Sequence, residues 1–298
     1  MVRERRGIAL LITLSVIASM LALVGVMFTY LETARNKAEK KSSVIQATLL
    51  RADLQQALDT LLKGKVEKNT LTGLYSAPLY LREKNIDGFR VSAACSPLLD
   101  RVRLSWLGWE GKEGKEPFFL LAKDLFDTLC DRAELKEPDR LFRMIVNTLH
   151  GREERYGIVS ELSAKKGIIS SNSFTLILDE YRFRTDDPNV EKIEWSRYFT
   201  FADPPGEPAG IDGDFIRPEV LAYLYGMELP TVRSAYQPGD LDKTLQELGE
   251  EKKRFEWLFM KKNSSATECT VDFGLMESDR TIHLSYYAGH IEDFELEK

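Results

Sequence analysis

The chain has 298 residues, a formal net charge of −6 and 30% charged residues. That length allows one or two domains, and the negative balance argues against a nucleic-acid binder, which would present a basic face. With 43% hydrophobic and 10% aromatic residues a packed core is feasible, and disorder would need lower hydrophobicity.

The first element is the run Ile8 to Tyr30, which contains no charged residue. It is about 23 residues long, beyond the 18 or more that mark a membrane-spanning helix. In lipid its backbone polar groups must pair internally, so the run is predicted to be helical. A cleaved secretory signal peptide is the rival reading. It would have a shorter apolar core and a small-residue cleavage site, and after Tyr30 no A-x-A-like site appears before the charges. Only seven residues precede the run, and the large domain follows it. This places the amino terminus in the cytoplasm, since the charge of a long domain affects its translocation little. Beyond the membrane everything is of soluble type, and no proline occurs before Pro78. The helix is therefore predicted to continue to Lys63, with Gly64 as its stop. Val44, Ala47, Leu50, Leu54, Ala57, Leu58, Leu61 and Leu62 recur at helical spacing and form one stripe, expected to lie on a sheet.

The leader carries the most specific pattern. Arg5-Arg6-Gly7-Ile8-Ala9-Leu10-Leu11-Ile12 resembles the processing site of type IV pilin-like proteins. The resemblance implies cleavage after Gly7 by a prepilin peptidase, a methylated new terminus at Ile8 and retention of the helix as the packing element of a filament. Most members carry glutamate at the fifth mature position and phenylalanine at the first; this chain has Ile12 and Ile8. Lack of that glutamate, the RxRGxALLxxL-like run and the length are similar to the K-type minor pseudopilins of type II secretion. A further K-type feature is an asparagine-rich segment before a late helix. The comparable stretch Gly213 to Leu221 keeps the helix start and loses the asparagines. The match covers roughly the first 60 residues on motif and the rest on layout.

What the resemblance implies is a structural, non-enzymatic subunit of a bacterial inner-membrane filament machine, with its carboxy-terminal domain in the periplasm. Its partners would be other minor pseudopilins, the prepilin peptidase and the inner-membrane assembly platform. The missing glutamate suggests a tip or initiator subunit. An uncleaved single-pass protein whose exported domain binds a ligand or partner is the alternative.

The remaining elements follow in order. Phe89 to Cys95 reads as a strand with a turn at Ser96-Pro97, and Val102 to Leu107 alternates as a second strand. Leu120 to Leu129 and Leu141 to Leu149 have helical period, the latter opened by Pro138 and Asp139. Phe174, Ile177, Leu178 and Tyr181 fit helix or strand. Val190 to Phe201 alternates and is predicted as a strand, followed by a Pro/Gly loop from Pro204 to Gly210. Pro218 opens a helix, another is predicted from Leu241 to Met260, and two strands, Cys269 to Phe273 and Thr281 to Tyr286, flank a turn at Glu277 to Arg280. The predicted fold is α+β: a long amino-terminal transmembrane helix packed on a pilin-like antiparallel sheet, with a large, mainly helical insertion. Its parts are a basic leader (1–7), the membrane helix (8–30), its exposed continuation (31–64), the strand region (65–116 and 265–298) and the insertion (117–264).

Catalytic motifs are missing from the sequence: no G-x-S-x-G, H-E-x-x-H or P-loop occurs. His150, His283 and His290 lie apart. The three cysteines, Cys95, Cys130 and Cys269, show no metal spacing. They read as buried small residues, and if the domain is exported a Cys95–Cys269 bridge is conceivable, since both lie in strand-like runs. The acidic residues Asp179, Glu180, Asp186 and Asp187 and the pair Asp212 and Asp214 could supply oxygen ligands to calcium, which the K-type resemblance also implies. They fit no EF-hand loop, and a solvated acidic face is the simpler reading. Asp186, Asp187, Asp212 and Asp214 are the candidate ligands. Lys252-Lys253-Arg254 reads as a helix surface.

Overall fold

The computed structural model describes residues 2–62, 67–81, 89–151, 171–275 and 278–296, in two units, Met1–Leu54 and Gln55–Lys298. The first unit is helix α1, Val2–Leu62, whose last two turns belong to the second unit. Leucine, alanine, lysine, glutamate and glutamine, all good helix formers, dominate it after the apolar run. Lys63, Gly64 and Lys65, expected to end it, lie outside the described residues.

The second unit continues with α2 (Lys68–Ser76), β1 (Leu79–Leu81), β2 (Phe89–Pro97), β3 (Val102–Arg103), α3 (Glu116–Arg132), α4 (Pro138–Leu149) and α5 (Ser171–Thr185). Then come β4 (Phe199–Thr200), α6 (Pro218–Tyr225), α7 (Leu229–Ala235), α8 (Leu241–Leu248), β5 (Thr267–Leu275), β6 (Ser278–Tyr287) and β7 (His290–Leu296). Prolines stand in the first turn of α3, α4, α6 and α7, where the missing N–H costs nothing.

One antiparallel sheet in the order β1-β2-β5-β6-β7 joins the two ends of this unit. Its strands alternate inward and outward. Val91, Ala93 and Cys95 of β2 pair with Phe273, Val271 and Cys269 of β5, and Val271 and Cys269 pair in turn with Ile282 and Leu284 of β6. All are buried, as are Leu58 and Leu62 of α1 and Leu71 and Leu74 of α2. Each of the larger ones, valine, leucine, isoleucine or phenylalanine, contributes about 1.5–3 kcal/mol of burial free energy. The opposite sheet face is polar, with Ser92, Thr270, Asp272, Thr281 and His283. Cys95 and Cys269 sit directly opposite in register and form a disulfide.

The chain between β2 and β5 builds a mainly helical layer on its own core. Phe126, Phe174 and Phe199 gather around Trp195, with ring centroids 5.6, 5.5 and 6.2 Å from it. Phe201 stacks on Phe174 at 4.8 Å.

Several local expectations are corrected. Val102–Arg103 is strand, paired in parallel with β4, but Leu104–Gly108 is a 3-10 turn with Leu104, Trp106 and Leu107 all buried. A segment enclosed on all sides lacks the one-sided burial of a half-buried strand. Residues 190–198 are likewise built on 3-10 turns, Pro188–Lys192 and Trp195–Arg197, with strand only at β4. Helix α8 stops at Leu248 because Gly249, at φ 72°, adopts the left-handed cap; Leu258, beyond it, is buried without being helical. Ser96 and Pro97 extend β2 instead of turning, paired with Glu268 and Thr267. Ser278–Arg280 is strand, while Glu277 lies outside the described residues. The ambiguous segment around Phe174–Tyr181 is helix. Leu61, placed on the buried stripe, is 39% exposed: the inward row runs Leu58 to Leu62, four residues apart, and Leu61 falls beside it.

Candidate membrane segment and charged joint

Helix α1 holds a stretch, Leu14–Arg35, long and apolar enough to cross a membrane, none of it buried inside the protein. An apolar core helix of a soluble protein would be covered. Ser19 Oγ donates to the Ser15 carbonyl at 2.9 Å, and Thr29 and Thr33 Oγ1 donate to the carbonyls of Gly25 and Thr29 at 3.0 and 2.8 Å. These hydroxyls are therefore satisfied within the helix, as a lipid environment demands. Gly7, Ile8 and Ile12 lie in the first turns of α1, whose backbone is helical through all three.

In the second unit, charge concentrates where the sheet meets the helical layer. Asp100 and Arg101 follow β2 and are nearly fully buried, at 2% and 3% exposure. Arg101 donates from Nε to Asp100 Oδ1 at 2.6 Å, from one terminal nitrogen to the Ser196 carbonyl at 2.9 Å, and from the other to Glu268 Oε1 of β5 at 2.5 Å. Arg217, just before α6, donates from Nε to Asp100 Oδ2 at 2.7 Å and also reaches Glu268 and the Ser196 carbonyl. Two cations thus meet two anions, and their hydrogen bonds are directed at carboxylates and one carbonyl. Burial opposes the charge on Arg101, but Asp100 and Glu268 hold its pKa above the usual guanidinium range. Nearby, Arg103 ties the Pro/Gly loop down through Asp203 at 3.1 Å and the Pro208 carbonyl at 2.6 Å.

The four candidate ligand aspartates fall in two places in the fold, each pair engaged in structural hydrogen bonds. Asp187 is buried and accepts from the Lys136 and Asn189 amides at 2.8 and 3.1 Å and from the Tyr181 hydroxyl at 3.3 Å. Burial opposes its ionisation, yet those donors hold the carboxyl below the usual range. Asp186 takes a left-handed turn, φ 50°, and its carbonyl accepts from Lys136 Nζ at 2.8 Å. Asp212 and Asp214 are brought together: the Asn263 side-chain amide donates to both, at 2.9 and 3.1 Å. Asp212 also accepts from the Ser264 amide at 3.0 Å, and Lys68 of α2 pairs with Asp214 at 3.1 Å. Burial pushes the Asp212 carboxyl up to about 6, with Asp214 adding to the effect. Among the described residues no group of three or more His, Cys, Asp or Glu side chains is arranged to hold a metal ion. Of the other acidic candidates, Glu180 pairs with Arg184 one turn away on α5.

Among the described residues no catalytic grouping forms around the histidines or the remaining thiol. His150 meets the Gly108 carbonyl at 3.1 Å, His283 stands exposed on the sheet's polar face near Thr270, and Cys130 is buried with its pKa raised to about 12 by burial. A thiol so far from ionisation is a poor nucleophile. Sequence reasoning missed the Asp100, Arg101, Arg217 and Glu268 group. Its signal was present in Leu98-Leu99-Asp100-Arg101-Val102-Arg103-Leu104, where charges interrupt a run that is otherwise apolar.

A long amino-terminal apolar helix, an antiparallel sheet and a helical insertion between its strands define a pilin-like α+β fold. Among the solved structures it resembles is a chain in "The Crystal Structure of the GspK-GspI-GspJ complex from enterotoxigenic Escherichia coli Type 2 Secretion System". The TM-score is 0.54 at 12% sequence identity, over 88% of this chain and 99% of that one. At that identity the likeness is one of fold. No family model matches the chain, and no curated protein matches it.

Proposed function

We propose that the chain is a minor pseudopilin, a non-enzymatic structural subunit of a type II secretion pseudopilus or a related pilus-like filament. The observation that carries this reading is the fold likeness to a component of the GspK-GspI-GspJ complex over nearly the whole of both chains. The exposed apolar helix and the leader Arg5-Arg6-Gly7 support it. In this reading a prepilin peptidase cuts after Gly7, Ile8 becomes the methylated amino terminus, and the helix anchors the subunit in the inner membrane with the second unit in the periplasm. The Cys95–Cys269 disulfide suits that oxidising compartment. Other minor pseudopilins and the inner-membrane assembly platform are the partners. Ile12, where most pilin-like chains carry glutamate, favours a place at the tip or at initiation.

Intact-mass measurement of the protein isolated from host membranes tests this directly. The expected mature chain starts at Ile8 and carries one methyl group. A chain still beginning at Met1, in cells with an active prepilin peptidase, overturns the reading in favour of an uncleaved single-pass protein with an exported binding domain.

A further inference from the structure

Strand β7 is an edge of the sheet, yet a side chain from α1 occupies part of that edge. The Ile291 N–H donates to Gln55 Oε1 at 2.6 Å, and Gln55 Nε2 donates to the Gly289 carbonyl at 2.8 Å. Residues two apart present their main-chain groups to the same side of a strand, and a carboxamide offers the same acceptor and donor as a peptide group. Gln55 therefore makes the two bonds that a neighbouring strand would make. Its second N–H goes to Asp59 Oδ1 at 2.9 Å, and the Tyr286 hydroxyl donates to the same oxygen at 2.7 Å. The turn that presents Gly289 is fixed by positive φ at both Ala288 (53°) and Gly289 (81°), the geometry of a tight two-residue hairpin. Gln55 is also the residue at which the compact second unit begins.

We infer that Gln55 is a positioning residue. Its carboxamide replaces a strand on the outer edge of β7 and keys the end of α1 to the β6–β7 hairpin, and this seating is required for the subunit to assemble. The seating is independent of the function proposed above; the assembly consequence rests on it. An edge strand left open is a template for pairing with other chains, so the same contact also closes that part of the edge.

The test uses the full chain in detergent micelles and in host membranes, with Gln55→Ala and Gln55→Glu. Hydrogen exchange in the wild type should show the Ile291 amide protected despite its edge position; fast exchange there overturns the inference without any variant. In Gln55→Ala, protection at Ile291 should fall at least tenfold while amides of β2 and β5 keep theirs, and co-isolation with companion subunits should fall at least fivefold. Unchanged Ile291 protection, or unchanged co-isolation, overturns it. Gln55→Glu covers the case in which the alanine variant fails to fold. An ionised glutamate keeps the acceptor for Ile291, loses both donated bonds and stands beside Asp59. Protonation returns one donor, so the gap in melting temperature from wild type should narrow between pH 7 and pH 4. A gap that is constant over that range overturns the inference. If the wild type itself fails to co-isolate with companion subunits, the proposed function is at fault and the exchange result still stands.

Discussion

Arg217 grips Asp100 twice: its backbone N–H donates to the Asp100 carbonyl at 3.0 Å and its Nε to Asp100 Oδ2 at 2.7 Å. This pair fastens the start of α6 to the segment leaving β2, and so joins the helical layer to the sheet. With Arg101 it forms a group centred on the buried Asp100, whose removal would leave charge on Arg101 uncompensated in the interior. Asp100→Ala should destabilise the second unit by about 3–5 kcal/mol, the cost of breaking a buried pair. Removing the exposed partner Glu191 of Arg182 should cost about 0–1 kcal/mol. Urea unfolding followed by tryptophan fluorescence measures both, and equal costs would contradict the special status of the buried group.

Asp212 predicts an unusual pH dependence. Its folded pKa, about 6, lies above the ordinary 3.8, so between those values the folded state holds a proton that the unfolded state has lost. The stabilisation is fully present below pH 3.8, declines as pH rises through about 6, and is absent above it. A difference of that size corresponds to about 3 kcal/mol at most. Asp212→Asn should remove this component, so that the variant's stability relative to wild type rises between pH 4 and pH 7. A wild-type-to-variant difference that is flat over this range would show that Asp212 titrates normally.

The helix stripe yields a comparison between adjacent positions. Leu58 is 3% exposed and Leu61 39%. Leu58→Ala should cost about 2–5 kcal/mol in unfolding free energy, whereas Leu61→Ala should cost clearly less, since over a third of that residue's surface already faces water. Equal effects would mean that the end of α1 is seated differently on the sheet.

Position 12 tests the place of the subunit in the proposed filament. A glutamate there without a partner should cost about 2.5–3.5 kcal/mol in the bilayer, a cost that the free amine of a neighbouring subunit would offset. Ile12→Glu is therefore expected to impair insertion or move the subunit from the tip into the shaft, read by labelled subunits along isolated filaments. Wild-type subunits spaced regularly along the shaft would contradict a tip role.

The long helix, the helices opened by Pro138 and Pro218, and the inward rows of β2, β5 and β6 were legible because each shows one periodicity against one buried face. The disulfide partners could be named as a conceivable pair because both cysteines sit in such strands. Trp106 and Trp195 mislead for different reasons: Trp106 lies in a run buried almost throughout, whereas around Trp195 buried and exposed residues do alternate, but on 3-10 turns and not on a strand. The charged joint was illegible for a different reason. Asp100, Arg217 and Glu268 are far apart in sequence, and only the pairing of β2 with β5 brings them together. Gln55 gave no signal, because one polar residue on an amphipathic helix is unremarkable until the edge it faces is known.

The bond between Cys95 and Cys269 spans 174 positions of sequence, and nearly all of the helical layer lies between them. Tension applied between the amino-terminal helix and the carboxy-terminal strand would run from β2 straight across the sulfurs into β5. The enclosed residues, with their aromatic core and buried ion pairs, are a covalently closed loop lying outside the path of the load. Single-molecule stretching under oxidising conditions should never release that length. Under reduction the same pull should yield an extra contour of about 600 Å, at roughly 3.5 Å per residue. A subunit of the proposed filament would thus bear force through a short tether while its largest folded region stays unstressed.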